Sequence, residues 1–140
     1  MTFEAWLSVG LWVAAGTSAA LLGVGLQMPV RFRWRSQMRH LDPFTAKVFW
    51  GYASFVAISL VAFAIITVLL HDAMLAGERS AGVIAGFMAV WWTVRIGFDL
   101  ASYGHAGWPQ GARFVVAHAL LLSGFVGLAV VYWTVVIRTI

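Results

Sequence analysis

The sequence of 140 residues contains no cysteine and no asparagine, and only 10% of its residues are charged. Without cysteine the chain cannot form disulfides, iron–sulfur clusters, thiolate metal sites or a catalytic thiol. The lack of asparagine argues against membrane protein families that need an intramembrane asparagine side chain. Soluble domains carry about 25% charged residues, so this chain has too few charges to cover a water-facing surface. We therefore expect lipid to surround it.

Four long apolar segments predict the fold. Hydrophobic residues make up 62% of the chain, and a helix of about 20 apolar residues crosses the hydrocarbon layer of a bilayer. We predict an all-α integral membrane protein, a bundle of four transmembrane helices that forms a single membrane domain over residues 1–140. The predicted helices span about 5–28, 43–70, 81–103 and 109–137. The expected boundary residues are Pro29, Asp42 with Pro43, Ser80, Gly104 and Pro109.

The positive charges predict the orientation of these helices. The loop between the first two helices carries Arg31, Arg33, Arg35, Arg39 and Lys47, and the loop before the fourth helix adds Arg113. By the positive-inside rule, both termini then lie on the non-cytoplasmic side of a bacterial inner membrane. Aromatic residues alternate with the arginines, as in some single-strand nucleic-acid binders. We favour the interpretation that these five basic residues anchor the loop to anionic lipid headgroups, and we expect no nucleic-acid partner.

Small residues recur at four-residue spacing on two predicted helices. Ala15, Ala19 and Gly23 lie on the first helix, and Gly82 and Gly86 lie on the third. Such faces let helix backbones approach closely in lipid. The spacing is equally consistent with association with a partner protein and with packing inside the bundle.

Arg95, Asp99 and His118 form the strongest candidate for a polar site inside the membrane. Arg95 and Asp99 lie four residues apart on one face of the third helix, and His118 returns to a similar depth on the fourth. Ionisable groups within a membrane are costly and are candidates for function. Asp99 and His118 could relay protons or hold a quinone headgroup. We favour a structural role, in which Arg95 neutralises Asp99 and the cluster joins the two helices.

We predict no cofactor and no metal site, with a haem or a chlorophyll on His118 as alternatives. A six-coordinate haem usually needs two axial ligands, and among the histidines only His118 lies well within a predicted helix. A chlorophyll needs one ligand, but Phe114 stands one turn before His118, where antenna polypeptides carry a small residue. His71 and Asp72 are expected on a short exposed loop. No nucleophile–base pair is visible in the sequence, so we favour a non-catalytic protein over an enzyme.

Two stretches carry a resemblance to other proteins: Arg39-His-Leu-Asp-Pro-Phe leading into Phe49-Trp-Gly-Tyr, and Gly86-Phe-Met-Ala-Val-Trp-Trp-Thr-Val-Arg95. Over roughly residues 38–135 the chain resembles uncharacterised small bacterial membrane proteins built from four helices. The resemblance implies this membrane fold, and it implies no particular activity.

The sequence favours a non-catalytic accessory or assembly subunit of a larger inner-membrane complex, either respiratory or photosynthetic. The predicted loops are short, and eight tryptophans provide large, stiff contact surfaces. The expected partners are other integral membrane subunits and anionic lipids, with homo-oligomers as an alternative. A small redox or proton-handling membrane protein that binds a haem, quinone or pigment near His118 is the second hypothesis. A homodimeric transporter of small solutes is the third.

Overall fold

A computed structural model describes residues 2–102 and 111–140, and within these ranges the ordered elements are helices. Four of the helices are long and apolar enough to cross a membrane, which confirms an all-helical fold with four candidate spans. The elements are α1 (Phe3–Arg31), α2 (Trp34–Gln37), a short 3₁₀ turn (Met38–His40), α3 (Pro43–Leu69), α4 (His71–Ala76), α5 (Arg79–Ser102) and α6 (Ala112–Thr139).

The predicted start of α3 at Asp42 and Pro43 is confirmed. The Asp42 carboxylate accepts hydrogen bonds from the backbone N–H of Thr45 at 2.9 Å, from that of Phe44 at 3.3 Å and from the Thr45 hydroxyl at 2.8 Å. These donors, the Thr45 amide first among them, hold the pKa of Asp42 below its ordinary value of 3.8. Asp42 therefore caps the helix in its ionised form.

Two predicted boundaries are wrong. The first helix does not end at Met28 but continues through Pro29 to Arg31. Pro29 lacks one backbone donor, yet it lies in the last turn, where the amide of Phe32 still reaches the carbonyl of Met28 at 2.9 Å. Ser80 does not cap the third long helix, because α5 already begins at Arg79. The predicted boundary residues at 103, 104 and 109 lie outside the described residues.

The segment that joins α3 to α5 is not the exposed loop that the sequence predicts. It forms the short helix α4, which ends at Gly77 in the left-handed conformation, with φ of 72°. The Met74 side chain is completely buried and belongs to the main hydrophobic core. His71 is also turned inward, with 14% of its side chain exposed. Burial of Met74 therefore holds α4 against the bundle.

The four long helices pack as two pairs. α5 lies along α6, α1 lies along α3, and α1 joins the pairs through a smaller contact with α6. α3 reaches α5 mainly through aromatic rings: Phe63 lies 5.6 Å from Trp91 and 6.2 Å from Trp92 between ring centroids. Trp92 in turn stacks on Phe125 of α6, with centroids 5.4 Å apart. These rings fill the centre of the bundle.

Within the described residues, tight packing is confined to the end of the bundle that holds both termini and α4, which we call the closed half. Its side chains with at most 1% exposure include Leu11, Met74, Met88, Leu128, Tyr132 and Val135. We call the other part, over residues 19–31, 43–62, 95–102 and 111–124, the open half. Among the described residues of the open half, only Asp99 is buried. The helices therefore present most of that half to their surroundings.

A pair of hydroxyl groups lies inside the closed half. The Thr67 hydroxyl of α3 donates to the carbonyl of Phe63 at 2.7 Å, and it lies 2.7 Å from the Tyr132 hydroxyl of α6. Both side chains are almost completely buried. This contact gives the Tyr132 hydroxyl a partner in an apolar interior, where an unpaired hydroxyl would be costly.

Candidate functional site

The structure brings Arg95, Asp99 and His118 together in the open half. An Arg95 guanidinium nitrogen lies 3.7 Å from Asp99 Oδ1 along α5, and Nε2 of His118 on α6 lies 3.4 Å from Asp99 Oδ2. Asp99 is 4% exposed. The carboxylate thus lies between one fixed positive charge and one imidazole that can gain a proton.

The contacts of this cluster are longer than those of a tight ion pair. Charge-assisted N–H···O hydrogen bonds are typically about 2.7–2.9 Å long, and Asp99 Oδ2 has no hydrogen-bond partner within the described ranges. Arg95 is held from another side, with its guanidinium carbon 5.1 Å from the centre of the Phe125 ring. The cluster can therefore compensate a buried charge, at distances longer than those of a tight ion pair.

The predicted headgroup anchor is exposed along its whole length. Arg31 ends α1, and Lys47 lies on the second turn of α3, as the predicted helix over 43–70 implies, and not in the loop with which it was grouped. Arg33 has a φ of 49°, in the left-handed region, at the turn into α2. The Trp34 ring packs edge-on against Phe49, with centroids 5.1 Å apart. The exposed side chains are Arg31, Arg33, Arg35, Arg39 and Lys47.

The two small-residue faces have different environments. On α5, a Cβ added to Gly82 would lie 2.6 Å from Cβ of Thr139, and one added to Gly86 would lie 3.6 Å from the Val136 side chain. That face is therefore used for packing against α6. On α1, Ala15 is buried, but Ala19 and Gly23 are exposed. We call Ala19 and Gly23 the outer small-residue face.

An apolar groove runs along the outside of α1 and α3. Its volume is 470 Å³. It is lined by Trp12, Ala15, Gly16, Ala19, Ala64, Ile65, Val68 and Leu69. Small side chains of α1 and α3 form its floor, and Trp12 stands at the end nearest α4, where its ring centroid lies 5.2 Å from that of His71.

A second polar cluster, which the sequence did not indicate, lies beside this end of the groove. The Ser8 hydroxyl of α1 is 3.1 Å from His71 Nε2, and His71 Nδ1 is 2.9 Å from Asp72 Oδ1. Ser8 and His71 are 63 positions apart, and the sequence carried no signal for their contact. The fold therefore brings a serine hydroxyl into hydrogen-bond contact with an imidazole that lies far away in the sequence.

Comparison with family models, with curated proteins and with solved structures finds no match for the chain.

The geometry of the histidines bears on cofactor binding. His118 turns Nε2 towards Asp99, and the ring of Phe114, one turn earlier, is covered by Arg113 at 5.0 Å. Within residues 2–102 and 111–140, no group of three or more histidine, aspartate or glutamate side chains could hold a metal ion. His105 lies outside the described residues. In this structure Nε2 of His118 is therefore directed at a carboxylate.

Proposed function

We propose that the protein is an accessory subunit of a larger membrane complex, respiratory or photosynthetic, and that the outer small-residue face binds a transmembrane helix of a partner subunit. The observation that carries this proposal is the exposure of Ala19 and Gly23. A Cβ added to Gly23 would have no neighbour within 4 Å. Small residues let two helix backbones approach closely in lipid, where van der Waals packing is a main force of association.

The open half supports the same proposal. A four-helix bundle that needs no partner is expected to pack along the full length of its helices. Here, among the described residues outside the closed half, only Asp99 is buried. Partner helices would cover the exposed faces of α1, α3 and α6 in that half. The basic residues next to it would then lie on anionic headgroups at the cytoplasmic surface of a bacterial inner membrane, with both termini on the opposite side.

Gly23 and Gly25 provide a matched pair for testing this interface. Both are exposed, both lie on α1, and neither would meet an atom within 4 Å after addition of a Cβ. Two residues correspond to about 200° around a helix, so the two positions lie on opposite faces. Leucine at Gly23 would obstruct a helix on the outer small-residue face, whereas leucine at Gly25 would not.

The experiment is purification of tagged protein from its native membrane in a gentle detergent. We expect other membrane subunits to co-purify with the wild-type protein. The amount that co-purifies should fall at least several-fold with Gly23→Leu and should be unchanged with Gly25→Leu. A lone protomer from wild-type membranes, or an assembly that contains only copies of this chain, would contradict the proposal. Equal loss of co-purifying subunits in Gly23→Leu and Gly25→Leu would contradict an interface on the outer small-residue face.

The second candidate function is proton handling at Asp99 and His118. It is favoured by one observation, a carboxylate that is 4% exposed and lies 3.4 Å from an imidazole nitrogen. An absorption spectrum of the purified protein tests its cofactor variant: a haem or chlorophyll band that disappears in His118→Ala would establish pigment binding. Proton uptake by reconstituted vesicles that is lost in Asp99→Asn would favour this function over the accessory role.

A further inference from the structure

The cluster of Ser8, His71 and Asp72 has the bonding pattern of an activated serine. A single neutral tautomer of His71 satisfies both contacts: Nδ1–H donates to Asp72 at 2.9 Å, and Nε2 accepts the Ser8 hydroxyl proton at 3.1 Å. In this tautomer Nε2 is the basic nitrogen and faces the serine. A nucleophile, a base and an orienting carboxylate in this order are the functional parts of a hydrolytic triad, which is recognised by geometry and not by sequence order.

The surroundings fix the orientation of the base. His71 begins α4, whose Met74 is completely buried, and the His71 ring lies 5.2 Å from the Trp12 ring. Only 14% of the His71 side chain is exposed, whereas Asp72 is fully exposed. The imidazole is therefore packed against α1, with its carboxylate partner on the exposed side.

The apolar groove begins beside this cluster. Ser8, Trp12, Ala15 and Ala19 follow one another at spacings of four, three and four residues, so they share one face of α1. Trp12 both contacts His71 and lines the groove. An acyl chain lying in the groove would place a polar ester group at the end where Ser8 is located.

We propose that Ser8 is a nucleophile for acyl esters that carry one long apolar chain, with His71 as its general base and Asp72 as a positioning residue. Ser8 Oγ forms a bond to the carbonyl carbon, and His71 Nε2 takes the hydroxyl proton. The ester bond breaks, and the leaving alcohol receives that proton. A water molecule, deprotonated in turn by His71, then forms a bond to the carbonyl carbon. The bond from that carbon to Ser8 Oγ breaks, Oγ regains the proton from His71, and the carboxylic acid is released.

This activity is additional to the proposed accessory role and does not depend on it. The two share Ala19, so a partner helix and an acyl chain would compete for that end of the groove. General-base assistance by His71 is the one rate effect invoked here, and such assistance contributes about 10²–10⁴-fold to a rate. We therefore expect slow acylation of Ser8. A reagent that traps Ser8 covalently detects such a reaction better than an assay of ester hydrolysis does. A purely structural cluster would also connect α4 to α1. The two roles differ in one observable, since only an activated hydroxyl reacts with an electrophilic phosphorus centre.

The test uses the full chain in lipid nanodiscs and a fluorophosphonate with a long alkyl chain. Ser8 Oγ would displace fluoride and form a phosphorus–oxygen bond. We expect peptide mass spectrometry of wild type to locate the adduct on Ser8, and we expect the labelling rate to fall at least about 10²-fold in His71→Ala. Asp72→Asn should label more slowly than wild type, and Asp72→Glu should restore part of the rate. No adduct on Ser8 of wild type, or labelling that persists in His71→Ala, would overturn the proposal.

Two further variants serve as controls. Ser123→Ala removes an exposed serine whose hydroxyl bonds only to the carbonyl of Ala119 on its own helix, and it should label as wild type does. Gly16→Leu fills the groove, since a Cβ there would meet no atom within 4 Å. We expect Gly16→Leu to slow labelling by the long-chain probe and not by a methyl analogue. Equal rates with both probes would contradict the assignment of the groove to the acyl chain.

Discussion

Replacing Gly82 by alanine tests the close approach of α5 and α6 near the end of the closed half. A Cβ at Gly82 would lie 2.6 Å from both Cβ and Oγ1 of Thr139, well inside van der Waals contact. Relief of such overpacking typically costs about 1–3 kcal/mol. Alanine in place of glycine within a helix returns about 0.5–1 kcal/mol. We therefore expect a net destabilisation of about 1 kcal/mol, the difference of the two effects.

Gly25→Ala is the matched control, because a Cβ there has no neighbour within 4 Å. It should stabilise the protein by about 0.5–1 kcal/mol, so the two alanine variants should differ in sign. The assay is unfolding of detergent-solubilised protein by sodium dodecyl sulfate, followed by tryptophan emission. Thr139→Gly removes the atoms that alanine at Gly82 would meet and should rescue the Gly82→Ala variant. Equal stability of Gly82→Ala and Gly25→Ala would contradict a close contact between Gly82 and Thr139.

Three further predictions concern polar groups. Tyr132→Phe removes a buried 2.7 Å hydrogen bond and should lower the free energy of unfolding by roughly 0.6 kcal/mol, at most about 1.7. Tyr52→Phe changes an exposed side chain and should leave the free energy of unfolding unchanged. Equal effects of the two substitutions would contradict a stabilising hydrogen bond between Tyr132 and Thr67. Asp42 has a pKa below 3.8 when folded, so its stabilisation of α3 is present above that value and is lost as pH falls through the lowered pKa. The protection of first-turn amides of α3 against hydrogen exchange, measured relative to their intrinsic exchange rates, should fall in that pH range, and Asp42→Asn should abolish this dependence. Arg95→Met leaves the buried Asp99 carboxylate without its fixed positive charge and should lower the free energy of unfolding by about 1–3 kcal/mol, less than for a fully buried pair because Arg95 is partly exposed. Asp99→Asn removes the buried charge itself and should lower the free energy of unfolding by less. The reverse order in the same unfolding assay would contradict the view that Arg95 compensates the charge of Asp99.

The sequence predicted the long helices because length and hydropathy alone determine whether a segment can span lipid. It also predicted the cap at Asp42, since capping depends on residues within one turn. The approach of Arg95, Asp99 and His118 followed from their positions along two antiparallel helices. Each of these inferences needs only local sequence or simple counting along a helix axis.

The remaining features depend on how the helices are rotated and tilted against one another. Hydropathy could not show that α4 folds inward, because the apolar run around Met74 is only four residues long and follows the polar pair His71 and Asp72. The contact of Ser8 with His71 joins positions 63 apart and requires a particular rotation of α1. The different roles of the Gly82 and Gly23 faces likewise depend on which side of each helix meets a neighbour.

The most direct test of the membrane arrangement is thiol labelling in intact cells. The chain has no cysteine, so single cysteines at Arg33 and Glu78 report on the two ends of the bundle without interference. A membrane-impermeant thiol reagent should label Glu78→Cys in intact cells and should label Arg33→Cys only after the cells are broken. Labelling of Arg33→Cys from outside, or recovery of the protein in the detergent-free soluble fraction, would contradict a lipid-embedded bundle with both termini on the non-cytoplasmic side.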